Sequence, residues 1–214
     1  MSKYKCVIFD CDGVLVDSEV IGNGVMVEMA NELGAQIDLS YAMTHFKGSF
    51  LYSCMTRIES LIGQPLPSTF EKDYRQRSYE AFRTQIKPVK DVEQVLNSLR
   101  LPFCVASSGP VEKIKLNLSL TGLMDHFEKK VFSCYDIQKW KPDPAIFLWA
   151  AETMGFTPEE CVVIEDSISG VNAALSGGFD VFGFTAHDHN EELKETSTRT
   201  FNAMDQLIDL LHES

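Results

Sequence analysis

Residues 7–17 read Val-Ile-Phe-Asp-Cys-Asp-Gly-Val-Leu-Val-Asp, and this stretch constrains the chain more than any other. It begins as an apolar run of strand character and breaks off into Asp10, Asp12 and Gly13. Side chains alternate along a strand, so Asp10 and Asp12 are expected on the same side where the strand gives out. Two carboxylates that close attract a hard cation, and one of them can serve as a nucleophile. Gly13 permits a tight turn that lets backbone amides approach an anion.

No comparable strand run occurs over residues 18–86. The spacing there is helical: Ile21, Val25, Met29 and Leu33 recur every four residues, with Asp17 or Ser18 as cap and Gly34 as stop. Two further helices are expected over 50–62 and 70–82, divided by Gly63-Gln64-Pro65-Leu66-Pro67. Beyond Pro88 the period changes. Short apolar strands at 102–106, 130–133, 161–164 and 180–184 alternate with helices at 89–100, 110–121, 145–154, 169–175 and 204–211. With the first strand this predicts an α/β protein, a five-stranded parallel sheet covered by helices on both faces. Residues 1–16 and 87–214 would form the core and 17–86 an inserted helical unit. The 214 residues suffice for both.

The charge balance narrows the partners. Against 31 acidic residues stand 19 Lys and Arg, a net charge of −12, which disfavours nucleic acid and anionic membranes. An anionic substrate would need a local cluster of cations or a metal. Met1-Ser2-Lys3-Tyr4-Lys5 runs straight into the first strand without an apolar leader, and no apolar run is long enough to span a bilayer. The six cysteines are scattered without a C-x-x-C pair, and Cys6, Cys104 and Cys161 fall in apolar strand runs. The expectation is a reduced, cytoplasmic and monomeric protein.

The residues able to do chemistry lie just past strand ends, where an open parallel sheet forms its ligand crevice. Asp10 is the expected nucleophile and Asp12 the general acid and base. Asp166 with Asp10 suits Mg²⁺, and the acids assigned to the metal are Asp10, Asp12, Glu165 and Asp166. Capping of the helix near 169 would account for one of the pair Glu165-Asp166, hardly for both. Ser107 and Ser108 offer hydroxyls and backbone amides to phosphate oxygens, although Ser-Ser-Gly-Pro is also an ordinary helix start. Lys141, in Lys-Pro-Asp-Pro, would offset charge on aspartate and phosphoryl group alike. Lys47-Gly48-Ser49 is either a substrate contact or a plain turn. His187-x-His189 is a weaker metal candidate than a solvated loop, Arg75 and Arg77 suit a solvated ion-pair face beside Glu71 and Asp73, and Trp140 and Trp149 are expected to pack.

Asp10-x-Asp12-Gly13-Val14-Leu15-Val16-Asp17-Ser18-Glu19, Ser107, Lys141-Pro142 and Glu165-Asp166-Ser167 follow one another in order. On these motifs the sequence resembles the haloacid dehalogenase-like hydrolase superfamily, in the branch of the β-phosphoglucomutase-like phosphatases, over nearly the whole chain. The resemblance implies a Rossmann-like core with a helical cap. It implies a nucleophile at Asp10, an acid/base at Asp12, a phosphate-binding hydroxyl at Ser107 and a phosphoryl-steadying lysine at Lys141. It also implies a Mg²⁺ ligand at Asp166, with Glu165 a further ligand or a partner behind it, and a substrate-selecting cap loop at Lys47-Gly48. The dehalogenases lack the second carboxylate, so Asp12 points away from dehalogenation. Leu51 stands where the mutases carry an arginine for a second phosphate. The expected activity is therefore Mg²⁺-dependent hydrolysis of small phosphorylated sugars or sugar acids through an aspartyl-phosphate. A phosphosugar mutase and a non-catalytic phosphometabolite-binding protein on the same fold are the competing readings.

Overall fold

The computed structural model describes residues 3–186, 188 and 191–213. Among these residues six strands form one parallel sheet: β1 (Cys6–Phe9), β2 (Phe103–Ser107), β3 (Val131–Ser133), β4 (Cys161–Glu165), β5 (Asp180–Phe184) and β6 (Arg199–Phe201). Their order is β3-β2-β1-β4-β5-β6, so the winding reverses at β1. Ile8 is in register with Cys104 on one side and Val163 on the other. That reversal leaves a crevice beyond the carboxyl ends of the strands, and it falls where β1 runs into Asp10.

Four helices, α1 (Glu19–Glu32), α2 (Leu39–His45), α3 (Leu51–Ile62) and α4 (Phe70–Gln85), come between β1 and the rest of the sheet. The remaining helices are α5 (Val92–Ser98), α6 (Val111–Leu120), α7 (Cys134–Ile137), α8 (Ala145–Met154), α9 (Ile168–Ser176), α10 (Glu192–Thr196) and α11 (Leu207–His212). Alternation along the strands decides which helices cover which face. Val7 and Phe9 pack with Val92, Ile114 and Leu207, from α5, α6 and α11. Cys6 and Ile8 pack with Ile146, Val171 and Leu193, from α8, α9 and α10. The α/β class with helices on both faces is thus as expected, with a sixth strand added.

The helices α1–α4 share an apolar cluster of their own, centred on Met29, Ile58 and Phe70. Full burial of side chains of this size contributes about 1.5–3 kcal/mol each. The chain leaves and re-enters the sheet side by side: Val16 bridges Pro88, and the Asp17 N–H donates to the Lys87 carbonyl at 2.9 Å. All six cysteines are free and buried. Among the described residues no helix is long and apolar enough to cross a membrane.

Several local expectations are corrected. Ser18 precedes α1 but makes no side-chain cap bond; its hydroxyl donates to Asp12 instead. α2 has only Ala42 buried, too little to mark a period, and Asp38 starts it by accepting from the Tyr41 N–H at 2.8 Å. α5 begins three residues later than expected because Asp91, at φ 64°, breaks the helical path before it. β6 is a three-residue edge strand with only Phe201 buried, so it carries no apolar run. The closing helix divides into a 3₁₀ turn, Met204–Gln206, and α11.

Candidate active site

The carboxyl ends of β1, β2 and β4 bring their polar residues to one cavity of about 140 Å³. It is lined by Asp10, Asp12, Ser107, Ser108, Lys141, Glu165 and Asp166 from the sheet side, and by Gly48, Phe50, Leu51, Tyr74 and Arg75 from the helices above. A concave space with a few convergent polar groups among apolar side chains suits a small molecule.

Lys141 is the hub. Its buried ammonium donates to Asp10 Oδ1 at 2.6 Å, to Glu165 Oε1 at 2.7 Å and to the Ala106 carbonyl at 3.3 Å. Burial works to lower the pKa of such a lysine, but Asp10 and then Glu165 outweigh it, and Lys141 is held protonated well above its usual range. Glu165 spends its other oxygen on the N–H groups of Asp166 and Ser167 and on the Ser167 hydroxyl, all at 2.9 Å. The Ser167 hydroxyl oxygen in turn caps α9 by accepting from the Gly170 N–H at 3.2 Å. The helix is capped by the serine, which leaves both preceding acids to the cavity.

Asp10, Glu165 and Asp166 each offer an oxygen within 4.8 Å of the others, and all three are buried. Burial raises the Asp10 carboxyl well above its ordinary range against the pull of Lys141, with Glu165, Asp12 and Asp166 adding to the rise. Burial likewise pushes Asp166 to about 7 against Lys47. The cavity region holds five carboxylates, with Glu19 the fifth, against three ammonium groups, Lys47, Lys113 and Lys141. The hard oxygen donors of Asp10, Glu165 and Asp166 fit a divalent cation such as Mg²⁺. The turn behind the cluster fits too. Gly13 has φ +80°, and a Cβ there would overlap the Asp166 carboxylate.

Asp12 is held apart from this cluster. Its carboxylate accepts from the Ser18 hydroxyl and lies 2.9 Å from Lys113 Nζ. Burial alone would raise its pKa; Lys113 and Ser18 reverse the sign, and the carboxyl lies below its usual value. Ser107, the last residue of β2, is buried and accepts from the Gly109 N–H at 3.0 Å. Lys47 reaches across from the loop between α2 and α3, with Nζ 2.8 Å from Asp166 Oδ2 and 3.0 Å from the Asp166 carbonyl. Gly48, at φ +66°, lets that loop approach so closely that a Cβ would stand 2.6 Å from the Ser167 Cβ.

Arg77 stays in solvent as expected, but its partner at 2.6 Å is Glu32 of α1 and not an acid of its own helix. Arg75 does not stay in solvent: it lines the cavity and donates to the Tyr135 hydroxyl at 2.7 Å. Trp149 packs on Phe132 and Trp140 on Phe50, with ring centroids 4.9 and 4.2 Å apart. His187 and His189 lie outside the described residues. Three charged residues of the cavity carry no site role that the sequence alone suggests: Lys113, Glu19 and Arg75. Lys113 left one signal, a cation in the first turn of α6, where the helix dipole disfavours it. Glu19 is pushed to about 7, mainly by burial and the nearby Asp12, and it accepts from the Asn23 amide at 2.9 Å.

The haloacid dehalogenase-like hydrolase family model matches residues 4–178 of this chain. The chain is 35% identical over 211 residues to the 6-phosphogluconate phosphatase of Escherichia coli strain K12, covering 98% of this chain and 96% of that one. Its fold is similar to the crystal structure of a conserved haloacid dehalogenase-like protein from Agrobacterium tumefaciens str. C58, with a TM-score of 0.87, 28% identity and 98% of each chain covered. It is also similar to that of a hydrolase of the same kind from Deinococcus radiodurans R1 with bound phosphate and sodium. There the TM-score is 0.81 at 26% identity, over 100% of this chain and 97% of the other.

Proposed function

The chain belongs to the haloacid dehalogenase-like hydrolase family, and we propose that it is a Mg²⁺-dependent phosphomonoesterase of small phosphorylated sugars and sugar acids. The observation that carries this reading is the meeting of Asp10, Asp12, Ser107, Lys141 and Asp166 in one cavity. The similarity to a phosphatase of 6-phosphogluconate supports the substrate class.

A carboxylate of Asp10 attacks phosphorus and the bond to the sugar oxygen breaks, forming an aspartyl-phosphate. Asp12, once protonated, gives its proton to the leaving oxygen; as carboxylate it then takes a proton from the attacking water. Water ends on phosphorus, inorganic phosphate leaves and Asp10 is restored. Lys141 aligns Asp10 at 2.6 Å and offsets charge as the phosphoryl group arrives. Ser107 and the neighbouring amides orient the phosphoryl oxygens. Asp10, Asp166 and the nearby Glu165 would hold Mg²⁺, whose chemistry there would be neutralisation of phosphoryl charge. We take the helices of residues 17–86 as the cap, with Lys47 and Gly48 closing over the site and excluding bulk water. Leu51 at the cavity wall offers no cation for a second phosphate, which favours hydrolysis over phosphoryl migration.

The test is inorganic phosphate release from a panel of sugar phosphates, with Mg²⁺ and with chelator, and with Asp10→Asn alongside. Release that requires both the metal and Asp10 supports the reading. No release from any monoester removes it.

A further inference from the structure

One cation of the cavity has no part in the chemistry proposed above. Arg75, on α4, lines the same cavity as Asp10 and Asp12. Its guanidinium is fixed from two sides. Nε and Nη2 donate to Glu71 Oε1 at 3.0 and 2.7 Å, and Nη2 donates to the Tyr135 hydroxyl at 2.7 Å. Glu71 is itself held by the Tyr52 hydroxyl at 2.7 Å, and the guanidinium carbon lies 5.3 Å from the Tyr135 ring centroid. Tyr135 is anchored in turn: its N–H donates to Ser133 Oγ at 3.1 Å, and that hydroxyl donates to the Gly109 carbonyl at 2.7 Å. Arg75 is therefore placed by a bonded chain from the very loop, residues 107–109, where the phosphate is proposed to sit.

These bonds use only part of what the pair can offer. Arginine has five N–H donors in a rigid fork, and the bonds named run from Nε and Nη2 alone. Tyr135 accepts from Arg75, which leaves its own phenolic proton to donate. A preorganised guanidinium beside a phenol, at the wall of a small cavity in a protein of net charge −12, is a receptor for an acceptor that carries charge. One guanidinium and one phenol match a monoanionic, planar carboxylate. A dianionic phosphate is served by the lysines at the other group of cavity residues. Ser49, Ser108 and Tyr79 also line the cavity and suit the hydroxyls of a polyol chain.

We infer that Arg75, braced by Tyr135 and Glu71, receives a carboxylate at the end of the substrate remote from the phosphate, and so selects phosphorylated sugar acids over the matching phosphorylated polyols. This rests on the phosphatase reading for its substrate class.

The test compares a hexonic acid 6-phosphate with the hexitol 6-phosphate of equal length, which differ by a carboxylate against a hydroxymethyl group. The ratio of kcat/KM for the two is measured in the wild type, Arg75→Met, Arg75→Lys and Tyr135→Phe. Binding of both compounds to Asp10→Asn, with and without Arg75→Met, is measured separately by calorimetry. The wild-type ratio favours the acid, and Arg75→Met lowers that ratio about 10–100-fold, the size of a lost charge-assisted pair. Arg75→Lys keeps part of the preference, since it keeps the charge without the fork. A wild type that does not discriminate overturns the inference. So does an Arg75→Met that slows both substrates alike, for then Arg75 is only a brace between α4 and Tyr135. If neither compound is hydrolysed but Asp10→Asn binds the acid preferentially through Arg75, the hydrolase reading falls and the inference stands.

Discussion

Lys113 Nζ lies 2.9 Å from Asp12 Oδ1, so the residue proposed as acid and base is held ionised by a lysine from α6. Lys113 stays protonated despite burial, because Asp12 in particular outweighs the cost of desolvation. Removing it in Lys113→Met raises the Asp12 pKa. The measurement is the pH profile of kcat on an activated monoester whose leaving group needs no proton. Turnover then depends on ionised Asp12 taking a proton from water, and the acidic limb moves to higher pH. Lys113→Arg keeps the limb near its wild-type position. An unmoved limb in Lys113→Met would separate Asp12 from that step.

Glu19 makes the fold pH-sensitive in a direction that can be worked out. Its ordinary pKa of 4.5 rises to about 7 in the folded chain, chiefly through burial and next through Asp12. The unfolded chain therefore loses this proton first. The contribution opposes folding as pH rises from about 4.5 to about 7, and is complete above that range. Glu19→Gln keeps an acceptor for Asn23 and removes the titration. It should be more stable than wild type at pH 8 by on the order of 2 kcal/mol, with little difference at pH 4. Thermal unfolding of both proteins at the two pH values checks this, and an equal gain at both would contradict it.

The strands were legible wherever burial on both faces demands an unbroken apolar run, as at Cys161–Glu165 and Asp180–Phe184. β6 offered no such run, since two of its three residues are only half-buried. Asp10, Asp12, Ser107 and the Glu165-Asp166 pair were conspicuous because each ends a strand, a position visible from spacing alone. Glu19, Arg75 and Lys113 sit on helices, and spacing does not say which face of a helix will meet a cavity. Their places depend on how α1, α4 and α6 pack together. Arg75 had the pattern of a solvated residue four positions after Glu71, and it forms that ion pair while also reaching Tyr135. Residue type offers either Asp17 or Ser18 as the cap of α1, yet Asp12 takes the Ser18 hydroxyl.

Lys141 supports the fold as well as the site. Its side chain is 3% exposed and contacts two carboxylates, Asp10 and Glu165, at 2.6 and 2.7 Å. Lys141→Met leaves both acids buried without that cation, a change that costs about 3–5 kcal/mol when a buried pair is broken from one side. The loss should be larger at pH 8 than at pH 5, because protonation relieves a carboxylate that has lost its cation. Adding Glu165→Gln to Lys141→Met should recover part of the stability at pH 8, a non-additivity measurable by a double-mutant cycle of denaturant unfolding. Strictly additive losses would mean that the lysine and Glu165 are not coupled.

Gly48 is where the loop between α2 and α3 meets the core, and two separate demands fall on it. Its φ of +66° disfavours a side chain by about 1–2 kcal/mol for most residues, less for asparagine. Its approach to Ser167 is a second barrier, since a Cβ would stand 2.6 Å from the Ser167 Cβ and 3.1 Å from its Oγ. Ser167 cannot easily retreat, because it caps α9 and its hydroxyl donates to Glu165. Gly48→Ala and Gly48→Asn distinguish the two. If backbone strain governed, asparagine would retain most of the activity that alanine loses. The close approach is common to both, so both should draw Lys47 away from Asp166 and lower kcat/KM for phosphate release by about 10–100-fold, the cost of one weakened charge contact in the site. Recovery in Gly48→Asn alone would show that the loop tolerates a Cβ against Ser167 and that only its left-handed backbone matters.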